Sequence, residues 1–300
     1  MAGISLMPSA ILEGRWKKHR YKVKSKLGQG GIACVYLVVD VNTGRDYAIK
    51  ISKDSISINR EYELLKKFHK VDMIVKAYEI DDIRVEGEIY YYILLEYIQG
   101  DNLKNYINKN KLDACTIISI ILLLLKGLQV FYDEEYILGD LKPENIMVDQ
   151  KANKIKIIDL GGLLKLGDPI KEFTPAYDRA AWKCGKRLAE PSYQLFTLLM
   201  ILIKLLTGDS LNPKKQEIED VIGRIKKLEL DKDLESFIIM GLANEYNSIN
   251  LFARKLETLY YQEKANQKRK KLLLKEKKIN AFLCFSIIFF VLTMAFIFLL

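Results

Sequence analysis

The sequence predicts an α+β protein of two unequal lobes, a small β-rich one followed by a larger helical one, with a single apolar helix after them. Three observations predict this. Short runs rich in β-branched and aromatic residues alternate with glycine-bearing turns from Tyr21 onward, long helical periodicity takes over after Gln99, and the segment from Ile279 to Leu300 contains no charge. With 300 residues, half of them hydrophobic and 28% charged, the chain can bury a sizeable core, and disorder is excluded for the whole.

The first lobe begins with three runs, YKVKSKL, ACVYLVVD and RDYAIKI, separated by glycines or by Asn42-Thr43-Gly44, and these read as antiparallel strands joined by turns. From Ser57 to Lys70 the period switches. Ile58, Tyr62, Leu65 and Phe68 recur at three and four residues and give one apolar stripe of a helix. Two more strands are expected around Ile74 to Ile80 and Glu88 to Tyr97.

After the turn at Gln99-Gly100-Asp101, helices are expected over Asp113 to Tyr132 and Ser192 to Leu206, with several more between Pro213 and Gln262. Their apolar runs, TIISIILLLL and LFTLLMILIKLL, fall short of the roughly 17 residues needed to span a bilayer and read as buried helices. The intervening stretch from Tyr136 to Trp182 is loop-rich, with short strands near Ile146 to Val148 and Lys154 to Ile158. Chemistry usually sits on such loops. The cysteines Cys34, Cys115, Cys184 and Cys284 lack paired spacing, so neither a disulfide framework nor a zinc site is indicated.

The charge-free end is about 33 Å long as a helix, against roughly 30 Å of bilayer hydrocarbon. Just before it, Lys264 to Lys278 carries eight basic residues and one acid, which leaves only +2 of the formal net charge of +9 for everything else. That distribution argues for an anionic membrane surface and against nucleic acid as the main partner, which would call for a basic face on the folded body. The positive-inside rule places the amino-terminal body in the cytosol. A single-pass, tail-anchored topology is expected, with no amino-terminal secretory signal.

Three constellations carry chemistry. In LGQGGIACVY, Gly28, Gly30 and Gly31 lie between two strands, where backbone amides can approach phosphate oxygens; taken alone, such a hairpin is more often just a turn. In YAIK, Lys50 falls inside the lobe and needs an anionic partner, and Glu61 follows eleven residues later on the helix. In YILGDLKPENIMV followed by IKIIDLGG, Asp140, Lys142 and Asn145 share a loop and Asp159 ends a strand. Two carboxylates and an amide are hard oxygen ligands suited to Mg²⁺, with one acid left to orient or deprotonate a hydroxyl.

In this order the constellations resemble a eukaryotic-like (Hanks-type) protein kinase over about 15–262, with an N-lobe at 15–97 and a C-lobe at 98–262, between an extension at 1–14 and a basic segment at 263–278 that leads into the span at 279–300. The resemblance implies a bilobal protein-kinase-like fold. It implies that ATP lies under Leu27, Gly28, Gly30, Gly31 and Val35, beside Ala48, with Leu95, Glu96 and Ile98 as gatekeeper and hinge. Lys50 would hold phosphates, positioned by Glu61; Asp140 would take the substrate hydroxyl proton and Lys142 would neutralise the transferred group. Asn145 and Asp159 would hold Mg²⁺, or Mn²⁺ in its place. Lys142 and the FTPAY segment, with Thr174 beside Asp140, resemble the serine/threonine class and imply a protein substrate.

Departures accompany the resemblance. Ala33 replaces a third glycine, and Leu138-Gly139 stands where the family carries His-Arg, so the arginine that pairs with a phosphorylated activation segment is absent. Leu160 replaces the phenylalanine after Asp159, Ala181 stands where a glutamate closes the segment, and Gln194 where an aspartate anchors the catalytic loop. Both halves of a family ion pair are expected to be missing together. Three readings stay open: an active membrane-tethered serine/threonine kinase, a pseudokinase scaffold that binds ATP, and a small-molecule phosphotransferase suggested by Gly139-Asp140.

Overall fold

The computed structural model describes residues 4–243, 245–246 and 248–299; Met1 to Gly3, Asn244, Asn247 and Leu300 lie outside the described residues, and with them the outer ends of the expected extension and span. A six-stranded antiparallel sheet forms the first lobe from β1 (Ile11–Glu13), β2 (Arg20–Gln29), β3 (Ala33–Asp40), β4 (Asp46–Ser52), β5 (Ala77–Val85) and β6 (Glu88–Glu96), in the order β1-β2-β3-β4-β6-β5. Helix α1 (Ser55–Lys67) packs on one face. Asp54 caps it, accepting from the amides of Ile56 and Ser57 at 3.0 and 3.1 Å, which explains a start earlier than the apolar stripe predicts.

Two expectations shift here. The strand expected over Ile74 to Ile80 runs instead over Ala77–Val85, because Ile74 is drawn into a bridge with Ile157 across the lobes. Residues 4–14, expected as an extension, supply β1 and cover the outer face of the sheet: Ile4 and Leu12 are buried there with Tyr21, Tyr36 and Tyr92. Buried carboxylates fasten this cover. The amides of Trp16 and Lys17 donate to Asp81, and His19 Nδ1 and the Tyr92 hydroxyl meet Glu79 at 2.6 Å each. Nothing local in the sequence marks Glu79 as buried, since its partners are 13 and 60 residues away.

The second lobe is helical. β7 (Gly100–Asn102) leads into α2 (Leu103–Lys109) and α3 (Ala114–Asp133), followed by β8 (Tyr136–Leu138), β9 (Ile146–Asp149), β10 (Lys154–Ile157) and β11 (Leu163–Lys165). Then come α4 (Pro191–Thr207), α5 (Ile218–Lys226), α6 (Lys232–Leu242) and α7 (Ile249–Leu299). α4 is buried along most of its length, and α3, which packs on it, buries Ile117, Ile121 and Leu124, so both apolar runs are core helices as the sequence predicts. Burial of this kind is worth roughly 1.5–3 kcal/mol per large apolar side chain. Leu and Ile side chains fill both.

α7 is one unbroken helix. Its first turns bury Phe252, Leu256 and Leu259 against the lobe, and it continues through the basic segment into the apolar end, so the expected divisions after Gln262 and Lys278 fall inside a single element. Gln267 Nε2 donates to Asp113 at 2.6 Å. Beyond that contact, Phe282, Leu283, Phe285, Ile288 and Phe289 are exposed. The length and composition of α7 suit a membrane crossing.

Candidate active site

The cleft between the lobes gathers the residues the sequence singles out. Register does this in the first lobe: Val35 lies opposite Lys50, Ala48 opposite Leu95 and Lys50 opposite Ile93, which sets Val35, Ala48 and Lys50 close together on adjoining strands. Gly28 pairs with Val35, and the Gly30 amide donates to the Ala33 carbonyl at 2.8 Å, closing a tight turn. A Cβ on Gly28 or Gly31 would meet nothing within 4 Å, so this hairpin leaves open space for a group laid under it. Leu27 is exposed at its mouth, whereas Leu95 and Ile98 are buried. The Glu96 carboxylate turns away from the cleft to Lys156 at 3.1 Å and fastens the hinge to β10.

Lys50 donates to Glu61 at 2.6 Å and meets Asp159 at 3.3 Å; its side chain is 13% exposed and that of Glu61 4%. Burial works against the ammonium, but Asp159 and Glu61 outweigh it and hold Lys50 protonated well above the ordinary lysine range. Burial also raises Glu61, the Lys50 charge opposes, and Asp159 adds to the rise, so the group is pushed up to about 7. Asp159 goes the other way. Burial would raise it, yet Lys50 and the Gly161 N–H at 2.8 Å draw it below the usual carboxylate range.

Lys142, Asp140 and Thr174 close a second cluster. Lys142 Nζ donates to Asp140 Oδ2 at 2.5 Å and to Thr174 Oγ1 at 3.2 Å, while the Thr174 hydroxyl donates to Asp140 Oδ1 at 2.8 Å. Asn145, in a 3₁₀ turn with Pro143 at its start, donates from Nδ2 to the Asp140 carbonyl at 3.3 Å, which leaves its Oδ1 as a ligating atom. Oxygens of Asn145 and Asp159 on adjoining loops are a donor set that fits Mg²⁺.

Three features lie outside the sequence reading. Arg60, next to Glu61, donates to the Gly161 carbonyl at 3.1 Å and to the Leu163 carbonyl. Glu172 is raised by burial and by Asp159, and its Oε2 lies 3.9 Å from where a Cβ on Gly161 would stand. Around Ala181, where the family ion pair is expected to be missing, a different one stands: Asp178 is fully buried and accepts from Arg187 Nε at 2.8 Å, from the Ala181 amide at 2.9 Å and from the Tyr193 hydroxyl at 3.1 Å. Beside it, Arg179 is buried against Glu190. A new ion network thus stands in the same region. Gln194 does anchor the catalytic loop, its Oε1 accepting from the Leu138 amide at 3.0 Å, but its Nε2 is buried with no partner. An aspartate would not carry that donor.

The protein kinase domain family matches residues 21–274. The chain is 32% identical over 271 residues to the serine/threonine-protein kinase YabT of Bacillus subtilis (strain 168), covering 88% of this chain and 78% of that protein. It is 24% identical over 284 residues to the serine/threonine-protein kinase PrkC of the same strain, covering 86% of this chain and 43% of that one. Similarity extends to a plant protein, the SNF1-related protein kinase catalytic subunit alpha KIN12 of Arabidopsis thaliana, at 30% over 220 residues, 69% of this chain and 43% of the other. The chain belongs to the protein kinase domain family and is a serine/threonine protein kinase.

Proposed function

We propose that this chain transfers the γ-phosphate of ATP to serine and threonine hydroxyls of proteins at a membrane surface. The observation that carries the reading is the assembled pair of clusters, Lys50–Glu61–Asp159 and Asp140–Lys142–Thr174, in one cleft.

In this reading the open hairpin at Gly28 to Gly31 covers the phosphates, the apolar surfaces of Val35, Ala48 and Leu95 take the adenine, and Lys50 binds the α- and β-phosphates. Asn145 and Asp159 would hold Mg²⁺, which supplies neutralisation of the phosphate charge. Asp140 orients the substrate hydroxyl and accepts its proton. Lys142, already bonded to Asp140, balances charge on the group in flight, and Thr174 fixes the Asp140 carboxylate by accepting from one neighbour and donating to the other.

The membrane part rests on α7. Its exposed apolar residues around Phe282 to Phe289 and the basic run before them suit a single crossing with the kinase domain on the cytosolic side. Each basic residue near an anionic leaflet adds about 1 kcal/mol.

The test uses the full chain in anionic vesicles with labelled ATP, Mg²⁺ and a generic protein substrate, beside Asp140→Asn. Transfer by the wild type and its loss in the variant support the reading. Nucleotide binding without transfer would sink it in favour of a scaffold, and transfer to a sugar or aminoglycoside alone in favour of a small-molecule phosphotransferase. A chain ending at Glu263, without the basic segment and the apolar end, should leave the membrane fraction, and its sedimentation with membranes would remove the anchor.

A further inference from the structure

Between Asp159 and Thr174 the sequence reads LGGLLKLGDPIKEF, without a serine, threonine or tyrosine. Nothing in this stretch can take a phosphate, yet the stretch is tied at many points. β11 pairs with β8 immediately before Asp140, and the Gly139 amide donates to the Gly162 carbonyl at 2.8 Å. Further on, the Gly167 amide donates to Ala189 and the Ile170 amide to Arg187, at 2.9 and 3.2 Å. A Cβ on Gly139 would stand 3.0 Å from Ile170, so the bare glycine lets the segment lie directly on the catalytic loop. A side chain at this position would press on Ile170, which would have to give way by a few tenths of an ångström.

Two neighbouring residues of α1 reach this region from the first lobe. Glu61 bonds Lys50, which bonds Asp159, and Arg60 bonds the carbonyls of Gly161 and Leu163. Adjacent residues on a helix point about 100° apart, so α1 is fixed in rotation at two places. A turn of α1 that carried Glu61 out of the cleft would also pull the guanidinium off both carbonyls, leaving the partly buried Leu163 carbonyl without that donor.

Resting on the site reading above, we propose that Arg60 is a positioning residue: it latches α1 to the start of the 160–173 segment and so holds Glu61 and Asp159 in their working places without phosphorylation of that segment. A guanidinium suits this role because its planar fork can address two carbonyls at once, where an ammonium is a single point charge.

The test compares the full chain with Arg60→Ala, Arg60→Lys and, as a control that removes a different arginine contact, Arg15→Ala, which loses its pair with Asp82 and its place over the Trp16 ring, both outside the cleft. Arg60→Ala should lower kcat about tenfold or more, the effect of losing hydrogen bonds from a charged donor, with the KM for ATP moving less than about threefold. Arg60→Lys should recover part of kcat, Arg15→Ala should match the wild type, and amide exchange over 160–166 should quicken in Arg60→Ala. Phosphatase-treated wild type should keep its activity. A kcat for Arg60→Ala within about twofold of wild type, or a fall that only tracks the folded fraction, overturns the latch. So does unchanged exchange over 160–166, or loss of wild-type activity on phosphatase treatment. If the wild type proves as inactive as Asp140→Asn, the proposed function has failed and the exchange experiment still decides the latch.

Discussion

The ATP side of the cleft and the helical support beneath it treat buried charge in opposite ways. On the ATP side, Lys50 lies between two carboxylates, 2.6 Å from Glu61 and 3.3 Å from Asp159. Beneath, the glutamate position is Ala181 and the charge has moved to Asp178, which is 0% exposed and gathers Arg187, Tyr193 and the Ala181 amide. The difference teaches which constraint is strict. Groups that touch phosphate must sit at fixed points in space, whereas a support needs only that its buried charges find partners, and many residue sets meet that condition.

Asp140→Asn should strike the ATP side hardest, lowering phosphate transfer about 10²–10⁴-fold, the usual worth of a general base, with little change in thermal midpoint. Equal losses of turnover and stability would erase the distinction between the two regions. Asp178→Asn should do the reverse: it leaves Arg187 without its carboxylate and should cost about 3 kcal/mol, the low end for breaking a buried pair because the Arg187 side chain is 38% exposed. Denaturant unfolding reads this, and turnover per folded molecule should hold.

Glu61→Gln should lower kcat/KM for ATP about tenfold, one charge-assisted hydrogen bond's worth. It also changes the pH profile. Because the folded-state value of Glu61 is raised to about 7, its protonation stabilises the fold below the ordinary carboxyl range and this contribution is lost as pH rises through about 7. Pairing with Lys50 requires the carboxylate, so wild-type kcat/KM should fall as pH drops below about 7 and the Gln variant should lack that limb. A wild-type profile flat from pH 6 to 8, roughly spanning that value, would count against the coupling. The smallest effect belongs to Gln194→Met, which removes both the acceptor for the Leu138 amide and the partnerless Nε2. The two changes oppose, and a net cost of about 1 kcal/mol is expected in thermal unfolding.

The arrangement of the ATP side was legible because its signals are local and ordered along the chain. A lysine at a strand end, a glutamate eleven residues on, and a loop with Asp140, Lys142 and Asn145 can each be read without tertiary knowledge, and their order narrows the rest. Arg60 was not legible. An arginine beside a glutamate on an amphipathic helix reads as a solvated side chain, and its carbonyl partners lie 101 and 103 residues away. Asp178 was hidden for a different reason: Asp178 and Arg179 look like an ordinary polar stretch until the chain folds Arg187, Glu190 and Tyr193 back over them.

The sequence by itself determined the order of a β-rich part followed by a helical part, the main strands and helices of each and the buried character of α3 and α4, since periodicity, glycine placement and charge are properties of neighbouring residues. Only the tertiary structure decided that residues 4–14 cap the sheet, that Asp178 carries the displaced ion network and that Arg60 spans from α1 to the segment after Asp159. Each of these depends on satisfying a buried carboxylate or carbonyl with a partner from a distant part of the chain, and such pairings are fixed by packing rather than by any local pattern.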